Sequence, residues 1–347
     1  MQSTLMTAPV IPSRGLTPET VSPTSPDSKI QRTVRAIDEV QQRSGPIGFT
    51  VGVLKKYGDD RGGQLASQLA FSAFLSFFPL MLIVVTVTSF LANRSPSLAD
   101  QIRNSAIAEF PVVGAELTKN EQALKGSGLG LAVGFLLLLW AGFGFTQALQ
   151  DAFLEVWHVP HKHRPSFITR LKRGILVIGL LIFEVLSSVV LGFLGTLITN
   201  SRLAGALGLL GGFLVTLTVY FTVFWMLSPR DTTIADLLPG VALASLGWQA
   251  LQTVGIRLIS SQLRRSSELY GTIGAALGLI GFLVLTSQFL VYSLEIATVR
   301  KLHLWPRSLI QPPLSDSDKA VLTLMAKQEE RWPEETVTVC FDASNPN

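Results

Sequence analysis

Residues 64–79 read Gln-Leu-Ala-Ser-Gln-Leu-Ala-Phe-Ser-Ala-Phe-Leu-Ser-Phe-Phe-Pro and open the first long apolar run of the chain. The run continues through Met81, Ile83 and Val87. Gln64, Gln68, Ser72 and Ser76 recur at every fourth position, so on a helix they form one polar line on an otherwise oily surface. Lipid offers such a line no hydrogen-bond partners, so it is expected to face other helices or a wet cavity. Pro79 removes the amide that the Leu75 carbonyl would use, and is expected to kink the helix or serve as a hinge.

Composition extends this reading to the whole chain. Of 347 residues, 48% are hydrophobic and only 15% charged, with a mean hydropathy of +0.42; a soluble protein carries about a quarter charged residues. Five further apolar stretches follow the first. The expected spans are 65–91, 129–153, 171–198, 203–227, 237–259 and 271–299, each longer than the roughly 20 residues that cross a bilayer core. The fold class is therefore all-α: a polytopic membrane protein with a six-helix transmembrane bundle and amphipathic interfacial helices. Residues 1–28, rich in Ser, Thr and Pro, read as a disordered tail without the apolar core of a cleavable signal peptide. Residues 29–63 form an amphipathic segment, with Ile30, Val34, Ile37 and Val40 at helical spacing among Lys29, Arg32, Arg35 and Arg43. Residues 64–299 form the transmembrane domain. In the tail, 300–347, a short helix is expected from about Ser315, with Asp318 three residues on as a capping partner, to about Glu330. A single cysteine, Cys340, excludes an internal disulfide.

Positive charge orients the chain. Twenty of its 28 Lys and Arg residues fall in the N-terminal segment, the turn after the second span, Arg230 and the C-terminal tail, against eight on the opposite side. Both termini are therefore expected in the cytoplasm. The external segment 93–128 alternates apolar and charged residues and is expected to carry one or two helices lying on the bundle.

Polar groups within the spans are the candidate functional residues, because burying them in lipid is expensive. Glu184 lies near the middle of the third span, with Gln249 at similar depth in the fifth. Gln147, Gln150 and Asp151 lie in the cytoplasmic half of the second, and Gln288 and Glu295 in that of the sixth. With Gln64, Gln68 and Ser72 these are expected to line a hydrated cavity open to the cytoplasm or the inner leaflet, narrowing near Ser76, Pro79 and Glu184. The competing reading is a set of interhelical hydrogen bonds that clamp the bundle. Ladders of small residues, Ser188-Gly192-Thr196 and Gly208-Gly212-Thr216 among them, are expected to support close helix contacts. His158, His161 and His163 cluster beside Lys162 and Arg164, where adjacent bases oppose a cation, so no metal site is expected. No nucleotide-binding or hydrolase motif is present, and no cofactor is expected. Membrane lipids are the expected partners, with an envelope protein as a second possibility and no nucleic acid.

The stretch 66–79 with its Leu75-Ser76-Phe77-Phe78-Pro79 ending resembles the first span of the YihY/BrkB family of bacterial inner-membrane proteins, which have carried a ribonuclease BN label. Trp140-Ala141-Gly142-Phe143, Leu237-Leu238-Pro239-Gly240-Val241 and Tyr270-Gly271-Thr272-Ile273-Gly274 are similar to later spans of the same family, in the same order. Where the family shows Gly-Ala-Glu-Leu, this chain has Ser293-Leu294-Glu295-Ile296, so the resemblance does not carry a close helix contact at that point. It implies a six-span inner-membrane protein tied to envelope integrity and, loosely, to lipid export, without catalytic residues. A transporter or flippase-like protein acting on an amphiphilic substrate is the leading expectation. A non-transporting envelope scaffold is the alternative, and a nuclease is disfavoured.

Overall fold

The structure is a computed structural model, and it describes residue 38 and residues 41–92, 128–196, 201–262, 271–309, 311 and 314–341. The segment 93–127 and most of 1–40, with the helices expected there, lie outside the described residues. Among the described residues the chain is helical, without a strand. A short helix α1 (Gly45–Asp59) precedes six long ones: α2 (Gly62–Ala92), α3 (Gly128–Val156), α4 (Phe167–Thr196), α5 (Ser201–Leu227), α6 (Ile234–Gln262) and α7 (Gly271–Leu302). A final helix, α8, covers Asp316–Gln328. The long helices have 27 to 32 residues, or about 40–48 Å at 1.5 Å per residue. Most overrun the expected apolar spans by a few residues because a started helix propagates into its flanks at little cost. Four of them, α4 to α7, are long and apolar enough to cross a membrane over their described residues.

The six long helices close into a ring in which α2 packs on α3, α3 on α4, α4 on α5, α5 on α6, α6 on α7, and α7 back on α2. Successive helices from α3 to α7 run in opposite directions, as the short connections between them require. One end of this ring is filled. Leu69, Leu149, Phe153, Phe224, Leu237 and Leu294, drawn from five of the six helices, belong to one buried core, and Val177 adds the remaining helix, α4. Phe153 and Phe224 meet edge to face there, 5.2 Å between ring centres. A second core joins α2, α6 and α7 through Ala70, Phe77, Phe282 and Trp248.

Glycines mark where backbones touch. A methyl group on Gly240 of α6 would run into the Ser293 carbonyl of α7, and one on Gly247 would lie 2.7 Å from the Phe289 ring. The close contact that the Ser293 departure left unsupported therefore exists, and it is the α6 glycine that permits it. The small-residue ladders behave otherwise. Among the described residues, nothing lies within 4 Å of where a Cβ would stand on Gly192, Gly208 or Gly212. Gly208 and Gly212 share a face of α5 that, with Gly192 of α4, lines a groove rather than a packed contact.

Helices α1 and α8 cap the filled end. Val53 of α1 packs with Val299, Leu304 and Val321 in a third small core. The expected capping box is present: Ser315 caps α8, accepting from the Asp318 amide while the Asp318 carboxylate accepts from the Ser315 amide. Asp318 is also the hub of the cap, accepting from Lys55 Nζ at 3.0 Å, Arg307 Nε at 2.8 Å and the Ser308 amide at 3.0 Å. Burial works against its charge, but the Ser315, Ser308, Lys55 and Arg307 donors hold its pKa well below the usual carboxylate range. N- and C-terminal segments are thus tied together at one end of the ring.

Candidate functional site

The polar line on α2 divides. Gln64 and Gln68 are exposed, on the outer surface of the ring, and Ser72 and Ser76 are half-buried. The Ser76 hydroxyl donates to the Ser72 carbonyl of its own helix at 2.9 Å, a bond that satisfies a serine in an apolar helix without an outside partner. Pro79 is half-buried inside α2, which stays helical on both sides of it.

Glu184 sits on α4, two places around the ring from α2, so the line and Glu184 do not meet through neighbouring helices. It is half-buried and accepts a 2.9 Å hydrogen bond from Thr216 Oγ1 of α5. One turn further along both helices a groove opens. Ser188, Leu191, Gly192, Gly195, Gly205, Gly208 and Gly212 line it, and it holds about 420 Å³. Among the described residues the groove opens to the side, on the end of the ring away from the cap. The cavity expected from the sequence was to open to the cytoplasm or the inner leaflet, and no cavity lies at the capped end among the described residues. That end is packed with side chains from all six helices, and the groove lies laterally between α4 and α5 at the other.

The remaining candidates disperse. Gln249 and Gln288 are half-buried on the adjacent helices α6 and α7. Gln147 on α3 is half-buried with its amide nitrogen unpaired. Its neighbour Gln150 donates to the Arg170 carbonyl at the start of α4. Glu295 is fully buried, and it leads to a cluster that sequence reasoning did not assemble.

In that cluster Lys56 of α1, with no exposed side-chain surface, donates to Asp60 and to the Val156 carbonyl at the end of α3. Lys56 Nζ also lies 3.0 Å from Glu295 Oε2, an ion-pair distance without hydrogen-bond alignment. His158 follows the end of α3. Its Nε2 lies 3.2 Å from Asp60 Oδ1, likewise at ion-pair distance, and its Nδ1 lies 2.6 Å from Gln328 Oε1 of α8. Burial opposes the Lys56 charge, yet the Glu295 and Asp60 carboxylates outweigh it and raise its pKa above that of an ordinary lysine. Burial likewise opposes the Asp60 charge, and His158 and Lys56 together draw its pKa below the ordinary value. The three loop histidines diverge: His158 enters the cluster, the His161 ring meets the Gln328 carbonyl at 2.7 Å, and His163 is exposed. The local signal for the cluster was weak, since Lys56 reads as an interfacial base until its partners are known.

The model of the family described as virulence factor BrkB matches residues 53–313, the stretch from α1 through the ring to the start of the cap. The inner membrane protein YhjD of Escherichia coli is 24% identical over 281 residues, covering 74% of this chain and 81% of its own length. A Bacillus subtilis protein named ribonuclease-like, YfkH, is 22% identical over 262 residues, covering 72% of this chain and 94% of its own. No solved structure matches at a significant level.

Proposed function

Because the chain belongs to the BrkB family, a family of membrane proteins, we propose that it is a transporter or flippase-like protein of the bacterial inner membrane, acting on an amphiphilic substrate, a lipid, in envelope maintenance. All six long helices span in this reading, with both termini in the cytoplasm, as the distribution of Lys and Arg favours. The observation that carries it is the lateral groove of α4 and α5 with the Glu184–Thr216 pair one turn beneath it. A groove floored by glycines and open to the side admits an acyl chain directly from the bilayer. A carboxyl within the membrane, already hydrogen-bonded to its neighbour, gives a polar headgroup a partner where lipid offers none.

The filled capped end supports a second reading, a non-transporting scaffold that binds a protein partner, because a bundle packed solid there among the described residues needs no substrate to explain it. The nuclease reading has less behind it. RNA hydrolysis needs an accessible acid–base or metal constellation on a basic surface, whereas Asp59, Asp60, Asp318 and Glu330 are each engaged by Arg307, Lys56, Lys55 or Lys162.

Purified protein in liposomes, assayed for scrambling of a fluorescent phospholipid, separates the first two readings. The transport reading expects scrambling that slows with Gly208→Leu, which fills the groove, and with Glu184→Gln. A folded wild-type protein that scrambles no lipid establishes the scaffold in its place.

A further inference from the structure

The acids at the end of α3 and the bases around the start of α4 do not balance. Asp151 pairs with Arg170 at 2.6 Å, and Glu155 pairs with Arg164 at 3.2 Å. Both acids are then engaged. Lys172 and Arg173 follow at once, and neither has a hydrogen bond or an acidic partner among the described residues. Two positive charges are left over on the second turn of a helix whose apolar span begins at Phe167.

Helix geometry fixes which way these charges face. Gly174 packs on α3, where an added Cβ would lie 2.8 Å from Thr146 Oγ1, and Val177 on the same side is buried in the main core. At 3.6 residues per turn, Lys172 stands about 160° around α4 from Gly174, and it is exposed. Ile168, Ile175 and Leu176 surround it at helical spacing, and each is more than half exposed. On a membrane span such a face meets lipid, so a charge on it must reach the headgroup layer. The direction suits that. Helical side chains lean toward their own N-terminus, and α4 starts at the capped end, beside the His161–Gln328 contact. Lys172 lies about 8 Å along the axis from Phe167, a distance that a long side chain leaning back largely covers. Thr169, short and exposed, lies three residues before Lys172 and four before Arg173, so the two cations flank one open spot.

We propose that this face of α4 binds one anionic phospholipid, its phosphate between Lys172 and Arg173 and its acyl chains along Ile175, Leu176, Phe183 and Leu186. The occupant is a lipid rather than a soluble anion because the cations are set in an apolar face. That face continues deeper into the span, where Phe183 and Leu186 are exposed as well. Charge complementarity selects an anionic headgroup, since a zwitterionic one brings its own cation to a place that already holds two. The site lies at the end of α4 away from the groove. It rests on α4 crossing the membrane and stands whether or not lipid is transported.

Native mass spectrometry of the full-length protein in detergent, titrated with phosphatidylglycerol or phosphatidylcholine of matched chains, tests it. The first phosphatidylglycerol should bind on the order of tenfold more tightly than the first phosphatidylcholine. Lys172→Gln/Arg173→Gln should erase that preference, and the exchange Lys172→Arg/Arg173→Lys should keep it. The control Arg230→Gln/Lys327→Gln removes as much charge from exposed positions at the same end and should leave the preference intact. Equal affinity for the two lipids in the wild-type protein overturns the proposal. So does an equal loss in the control, which means diffuse attraction by net charge. Displacement of the lipid by inorganic phosphate at fixed ionic strength overturns the lipid as occupant. If the double variant does not fold, Lys172→Gln and Arg173→Gln are measured singly; each should weaken the preference, and two unaffected variants overturn the site.

Discussion

The two ends of the helix ring solve opposite problems. At the capped end Val291 and Leu294 are fully buried, and Lys56 is sealed against Asp60 and Glu295 beneath α1 and α8. At the other end Leu209 and Leu210 are each 61% exposed, and Gly192, Gly208 and Gly212 face open space among the described residues. A membrane makes both arrangements stable. Outward apolar side chains are at home in lipid, whereas charges must be paired or kept out of it. The difference shows that the polar groups of this protein gather where helices close, and its room lies where they part.

The largest effect expected from breaking this contrast comes from Lys56→Met, which strands two buried carboxylates. It should destabilise the protein by about 3–5 kcal/mol in equilibrium unfolding in mixed micelles. The double variant Lys56→Met/Glu295→Met should recover much of that loss, because Asp60 and His158 remain as a pair. Phe224→Ala at the closed end should cost about 3–5 kcal/mol, against about 0.5 kcal/mol or less for Leu209→Ala at the open end. Gly240→Ala forces α6 off the Ser293 backbone and should cost about 1–3 kcal/mol, whereas Gly208→Ala meets nothing and should leave the midpoint unchanged.

A smaller, pH-dependent effect concerns Asp318. Its folded-state pKa is depressed, so its contribution is fully present above the ordinary aspartate value near 3.9. That contribution is lost progressively as pH falls below about 4. Hydrogen exchange of Asp316–Gln328 should therefore quicken in acid, and Asp318→Asn should show that looseness already at neutral pH.

Much of this fold is legible in the sequence. The apolar runs at 65–91 and 271–299 locate α2 and α7 to within a few residues, because chain length and oiliness set what a bilayer accepts. The Ser315–Asp318 box likewise announces α8, since capping is a local matter. The site was less legible. Spacing placed Gly208 and Gly212 on one face without saying which way that face turns. It placed Gln64 and Gln68 in line with Ser72, yet the ring turns the first two outward. Lys56 carried no signal of burial, because its partners Glu295 and His158 come from distant parts of the chain and only the folded cap unites them.

Whether the capped end is closed can be measured directly by cysteine accessibility. In a Cys340→Ser background, Val291→Cys should resist a water-soluble maleimide until the protein is denatured, while Gln64→Cys on the outer surface of α2 reacts readily. Rapid modification of Val291→Cys in the native protein would mean that water enters the bundle from the capped end, contradicting a sealed cap and a lateral groove.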